Sequence, residues 1–211
     1  MLKRYNPHRY FPENDLLANS FIGAWYMPHD IIDDICVYRE KNKHKSVSGK
    51  KRFKNFSEEE AVNIKNSEDI SISSIDETSP WREYRDCLQE FLKDYFLQYP
   101  EADEVARFNI CESFNLQWYP KGGGYYKEHF ENAGDSFNVH RHLVFMTYCA
   151  DVPNAGTHFK YQDITTPCEK GLTLIWPATF THPHKGQITE EHEKLIVTGW
   201  YNLSEIYEKL E

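Results

Sequence analysis

The sequence lacks any run of about 20 apolar residues long enough to cross a bilayer. Met1-Leu2-Lys3-Arg4-Tyr5-Asn6 leads into no signal-peptide core. A basic surplus is also missing: 24 Lys plus Arg stand against 33 Asp plus Glu, a formal net charge of −9. That balance excludes general nucleic-acid binding, which needs a cationic footprint to displace counterions. The five cysteines (36, 87, 111, 149 and 168) are odd in number and contain no CxxC pair. Neither a disulfide framework nor a zinc clip is expected, and the thiols read as small buried hydrophobes. Absent too are a GxSxG elbow, a GxxxxGK[ST] phosphate loop and an HExxH helix. These absences lead to the expectation of a soluble, cytoplasmic protein with reduced thiols and no membrane partner. One stretch departs from the acidic average. Lys41, Lys43, Lys45, Lys50, Lys51, Arg52 and Lys54 fall together with no acid among them, and such a run reads first as a solvated loop.

What is present suffices for a core. The 211 residues are 40% hydrophobic and include 5 Trp, 14 Tyr and 13 Phe. That length suits one domain, with residues 1–101 as a helical and mixed support region and 102–211 as a β-rich catalytic core. In the first part, Phe21 to Met27 reads as a strand stopped by Pro28, and Asp30 is placed to cap a helix bearing Ile31, Ile32, Ile35, Cys36 and Tyr38. Glu58 to Glu60 reads as an acidic loop, and Ile70 to Ser73 as a short strand. Ser79 at N-cap and Pro80 at N1 predict a helix whose Trp81, Tyr84, Leu88, Phe91, Leu92 and Tyr95 form one apolar stripe. After Ala102 the texture changes. Phe114–Tyr119, Leu143–Tyr148, His158–Tyr161, Leu172–Trp176 and Leu195–Tyr201 read as strands separated by Gly-, Pro- and Asn-containing turns. The fold class is therefore mixed α/β, predominantly antiparallel β, a sandwich or barrel with helices packed outside it.

Histidine is unevenly distributed, with seven of the ten between residues 129 and 192. Three pairs stand two apart: His129/Glu131, His140/His142 and His182/His184. Residues i and i+2 on a strand share a face, so each pair could offer two ligands to one metal. One imidazole, one carboxylate and a second, distant imidazole make the two-His-one-carboxylate set that suits non-haem Fe(II) oxygenases. HxE alone is a weak signal, and the spacing leaves His182 and His184 both open as the distant ligand, with His140 and His142 as an alternative pair.

Between about 114 and 202 the sequence resembles the Fe(II)/2-oxoglutarate-dependent dioxygenases, and among them the prolyl 4-hydroxylase-like branch. The resemblance is carried by Tyr119, Gly122-Gly123-Gly124, Tyr126-Lys-Glu-His129-Phe-Glu131, Arg141 and Tyr148, then by His184-Lys-Gly186, Lys194, Thr198 and Trp200. It implies a double-stranded β-helix of the jelly-roll or cupin type. It further implies that His129, Glu131 and His184 hold Fe(II), and that Lys194 and Tyr148 take the distal carboxylate of 2-oxoglutarate. Tyr119, Tyr126 and Thr198 would be further co-substrate contacts, Trp200 a pocket wall, and Arg141 a catalytic residue toward the primary substrate. The implied reaction consumes O2 and hydroxylates a C–H bond in a peptide, protein or small molecule, releasing succinate and CO2, with ascorbate in a supporting role. Glu131 departs from the family's usual Asp by one methylene. A small residue there would instead have pointed to halogenation. Two other readings remain: a non-catalytic cupin-like metal- or ligand-binding module, and a metal-dependent hydrolase or isomerase that has no need of a dicarboxylate anchor.

Overall fold

Alternation of large apolar side chains along Phe114–Tyr119 and Arg141–Tyr148 sends successive residues to opposite faces of a sheet, and both faces prove to be covered. The structure, a computed structural model, describes residues 19–49, 64–136 and 138–204. In chain order the elements are β1 (Gly23–Tyr26), α1 (His29–Lys41), β2 (Val47–Ser48), β3 (Lys65–Asn66), β4 (Glu68–Ile72), α2 (Trp81–Gln98), β5 (Phe108–Asn109), β6 (Phe114–Tyr119), β7 (Gly124–Tyr125), β8 (Arg141–Tyr148), β9 (Thr157–Phe159), β10 (Ile164–Thr165), β11 (Leu172–Pro177), β12 (His184–Gly186) and β13 (Lys194–Leu203). All strand pairings among the described residues are antiparallel. The major sheet has eight strands in the order β1-β11-β8-β13-β6-β4-β2, with β5 also on β13. Opposite it lie the three-stranded β10-β9-β12 sheet and the β3-β7 pair. The expected mixed, mostly antiparallel architecture is what forms.

One face of the major sheet (Leu143, Phe145, Ile175, Val197 and Tyr201) packs against Ile31, Ile32 and Ile35 of α1 and the aromatic stripe of α2. Each fully buried Phe, Leu or Ile contributes about 1.5–3 kcal/mol. A chain of hydroxyls crosses this layer: Tyr84 Oη lies 2.8 Å from Thr147 Oγ1, which lies 2.8 Å from Thr173 Oγ1. The buried polar groups therefore satisfy one another. Gly199 is required here, because a Cβ would stand 2.4 Å from the Phe145 ring and 2.5 Å from Phe114 Cβ. The other face (Val144, Met146, Tyr148, Leu174, Trp176, Ile196 and Trp200) forms a second apolar cluster and looks into the space between the sheets.

Several boundaries differ from those expected. β1 begins at Gly23, because Phe21 has a φ of +59° that takes it out of extended geometry. Pro28, not Asp30, occupies the N-cap of α1, and Asp30 instead accepts the Ile31 N–H at 3.0 Å. Likewise α2 starts at Trp81 with Pro80 at the cap position, and the Thr78 carbonyl takes the Trp81 and Arg82 N–H groups. The strand expected at His158–Tyr161 lies at Thr157–Phe159, and the chain turns at 160–163. Part of the basic stretch, Lys50 to Lys54, and the Glu58–Glu60 patch lie outside the described residues. No helix among the described residues is long and apolar enough to cross a membrane.

Candidate active site

The metal-ligand candidates come together through backbone pairing. His129 N donates to His184 O at 3.1 Å and His184 N to His129 O at 2.8 Å, which joins the segment after β7 to β12 and sets the two rings 4.5 Å apart. His129 Nδ1 lies 3.0 Å from Lys127 O, and His184 Nδ1 lies 3.0 Å from His182 O. A carbonyl partner makes Nδ1 the protonated nitrogen, so both Nε2 lone pairs are turned inward. Glu131 Oε1 faces them, 3.3 Å from His129 Nε2 and 3.6 Å from His184 Nε2. Donors at right angles and about 2.1 Å from one ion sit roughly 3 Å apart, so these three atoms fit a common divalent cation. The set lies within 4.8 Å overall. Glutamate reaches the position despite its extra methylene.

The electrostatics keep Glu131 and His184 deprotonated. Burial by itself would raise the Glu131 carboxyl, but His129, His184 and Arg141 outweigh it and hold it at about 2. Burial, reinforced by His129, lowers His184 to about 4. Glu131 Oε2 is engaged separately: Trp200 Nε1 donates to it at 3.0 Å and Arg141 Nη1 at 3.3 Å. The Arg141 guanidinium lies 3.4 Å over the Trp200 ring and forms a two-bond pair with Glu112, Nε to Oε1 at 2.8 Å and Nη2 to Oε2 at 2.9 Å.

The triad opens on a cavity of about 850 Å³ walled by both sheets. Lys194, at the start of β13, points into it while only 6% exposed. Its Nζ donates to Ala155 O at 3.2 Å and Gln187 O at 3.1 Å and lies 5.3 Å from the Tyr119 ring centroid. Burial pushes this ammonium below the ordinary lysine range, and among the described residues it has no carboxylate in ion-pair contact. Arg141 is paired with Glu112, and Lys65, which also lines the cavity, with Asp69 at 2.7 Å. Tyr148 Oη lies 2.7 Å from Thr157 Oγ1, Thr198 Oγ1 donates to Phe145 O, and Tyr119 Oη donates to Gln117 Oε1 at 2.7 Å.

Tyr148, Tyr119, Thr198, Trp200, Arg141 and Lys194 thus line the same cavity as the triad. Tyr126 does not; its hydroxyl donates to Gly122 O, and the neighbouring Tyr125 lines the cavity, stacked on His129 at 3.9 Å. His182 is buried with Nε2 2.9 Å from Ser20 O and Nδ1 2.9 Å from Thr181 Oγ1, so neither nitrogen is left for a metal. His142 bonds Ala102 O, His158 bonds Thr165, and His140 is exposed. Glu112, Tyr125, Gln117 and Lys65 were not expected from sequence. Only an alternation argument could have found Tyr125, since a one-residue shift along β7 exchanges faces.

Residues 114–202 match the 2OG-Fe(II) oxygenase superfamily. That match, together with the His–Glu–His site, gives residues 114–202 the features of a 2OG-Fe(II) oxygenase core, for which Fe(II) and 2-oxoglutarate are implied. Its solved structural neighbours are prolyl hydroxylases. A prolyl-4-hydroxylase from Pseudomonas putida superposes with a TM-score of 0.66 at 14% identity, covering 90% of this chain and 96% of that one. A prolyl hydroxylase from Trichoplax adhaerens, in complex with a hypoxia inducible factor oxygen degradation domain peptide fragment, gives 0.67 at 12% identity, with 90% and 86% covered. The viral collagen prolyl hydroxylase of Paramecium Bursaria Chlorella virus-1, a 2OG complex, gives 0.59 at 16% identity, with 87% and 97% covered. These neighbours share the double-stranded β-helix fold. No curated protein matches the chain by sequence.

Proposed function

We propose that the protein hydroxylates a C–H bond of a peptidyl substrate, with proline as the first candidate residue, in a reaction that consumes 2-oxoglutarate and O2. The observation that carries this reading is the pairing, in one cavity, of the His129–Glu131–His184 donor set with Lys194, a buried ammonium that has no carboxylate in ion-pair contact among the described residues. When bound, Fe(II) supplies the oxidising chemistry, with release of succinate and CO2. The chain's residues bind and orient. His129, Glu131 and His184 hold the metal. Lys194 receives the distal carboxylate of 2-oxoglutarate through a charge-assisted bond, strengthened because the ammonium is buried. Tyr148 and Thr198 line its path, and the Tyr119 ring supports the ammonium. The apolar wall of Met146, Trp176 and Ile196 excludes water.

The names of the structural neighbours favour a prolyl substrate, and the cavity chemistry agrees with an uncharged target. Apart from Lys194, its Lys and Arg side chains among the described residues are held by Asp69 and Glu112. In this reading the chain is one functional unit, with residues 1–101 supporting the core at 102–211. None of the five cysteines forms a disulfide, in keeping with the cytoplasmic setting expected from sequence. The test is anaerobic titration of the Fe(II)-loaded protein with 2-oxoglutarate, read by the visible charge-transfer band, followed by succinate release on presentation of proline-containing peptides. No band from folded, iron-loaded protein overturns the reading. A band without peptide-dependent succinate moves the substrate away from peptides.

A further inference from the structure

Glu112 lies in the segment leading into β6, 17 to 19 positions before the first ligands, yet it closes a chain of contacts that ends on the metal-ligand carboxylate. Asn202 Nδ2 donates to Glu112 Oε1 at 2.9 Å, which fixes Glu112 from behind. Glu112 in turn takes Arg141 Nε and Nη2, at 2.8 and 2.9 Å. The remaining nitrogen, Nη1, gives Glu131 one contact on Oε2 at 3.3 Å and a long one, 3.5 Å, to its backbone carbonyl. The Trp200 ring lies under the guanidinium, and its Nε1 also donates to Oε2.

The stoichiometry of this arrangement matters. A free guanidinium beside a carboxylate closes on both oxygens in a two-bond fork. Glu131 has one more methylene than the aspartate usual at its position, and so more freedom to swing into such a fork. Glu112 already holds the fork, so Arg141 reaches Glu131 with one edge nitrogen only, and Oε1 stays turned to the two imidazoles.

We infer that Glu112 is a positioning residue for the metal site: by engaging Arg141, it prevents the guanidinium from capturing Glu131 and keeps Oε1 available to the ion. This rests on the assignment of His129, Glu131 and His184 as the metal ligands.

The experiment is a Co(II) titration of the full-length apo-protein, read by visible absorption, for wild type, Glu112→Gln, Arg141→Gln and the double variant. If wild type fails to bind Co(II), the ligand assignment itself falls, before any variant is compared. Given binding, Glu112→Gln is expected to weaken Co(II) affinity by about 10- to 100-fold, the usual range when a group supporting a metal ligand is lost. In the Arg141→Gln background the same change is expected to cost less than about twofold, because the competing guanidinium is gone. Unchanged affinity in Glu112→Gln, or an equal loss in both backgrounds, overturns the inference. Should Glu112→Gln not fold, Asn202→Ser loosens Glu112 from the far side. A smaller loss in the same direction then supports the inference, and wild-type affinity overturns it.

Discussion

Tyr125 lies face to face with His129, ring centroids 3.9 Å apart and planes inclined by 23°. The stack, together with the Lys127 carbonyl on Nδ1, fixes the plane of a candidate metal-ligand imidazole from two sides. Tyr125→Ala should therefore weaken metal binding by roughly 10-fold, while Tyr126→Phe, which removes only a bond to the Gly122 carbonyl, should leave it within about twofold. Isothermal titration with Fe(II) or Co(II) separates the two. The opposite ranking would restore Tyr126 to the site.

Lys194→Ala removes the buried cavity ammonium that has no carboxylate in ion-pair contact among the described residues, and leaves the candidate metal ligands in place. Loss of a buried, hydrogen-bonded charge partner costs on the order of 30-fold or more in affinity. The 2-oxoglutarate Kd of the metal-loaded protein should rise accordingly, with metal affinity unchanged. A proportional loss of both would mean that the lysine supports the fold and not the co-substrate.

The choice between His182 and His184 is open to a direct comparison. His184→Ala should abolish stoichiometric metal binding without unfolding the chain. His182→Ala should retain the metal but lower thermal stability, because it leaves the buried Ser20 carbonyl without its 2.9 Å partner, a loss of about 1–3 kcal/mol. Melting curves and metal analysis of the two proteins give the answer.

Acid should destabilise the apo-protein earlier than carboxylate titration alone would. The unfolded chain protonates His184 near 6.5, whereas burial holds the native imidazole at about 4. Glu131 repeats the pattern from 4.5 down to about 2. In both cases the unfolded state binds the proton first, so stability falls as pH drops from about 6.5. Urea midpoints of apo-protein at pH 7, 5.5 and 4.5 should fall, and His184→Gln should flatten the upper part of that slope. A flat wild-type profile between 7 and 4.5 would contradict the burial-driven shift.

The longer strands were readable because aromatic and β-branched runs stood between glycine and proline breakers, and Phe114–Tyr119 was located to the residue. β3, β7 and β12, of two or three residues, carry no periodicity to read, yet they build the wall that opposes the major sheet. The candidate ligand pair His129 and Glu131 was visible from its spacing, although only His129 makes a bridge and Glu131 sits in the bend beyond it. Glu112 was not legible. Its role arises from the meeting of the approach to β6 with β8 and β13, and no distance along the chain encodes that meeting.

The order of the major sheet has a practical consequence for anyone dividing the gene. The segment matching the superfamily contributes β6, β8, β11 and β13, but β6 is flanked outside by β4 and β11 by β1, both from the first 72 residues. Excised alone, residues 114–202 would present two bare edges of the major sheet whose N–H and C=O groups solicit pairing from other copies. The fragment that looks like a transplantable catalytic cassette is therefore expected to be sticky, and the portion of the chain with the less recognisable sequence acts as its selvedge.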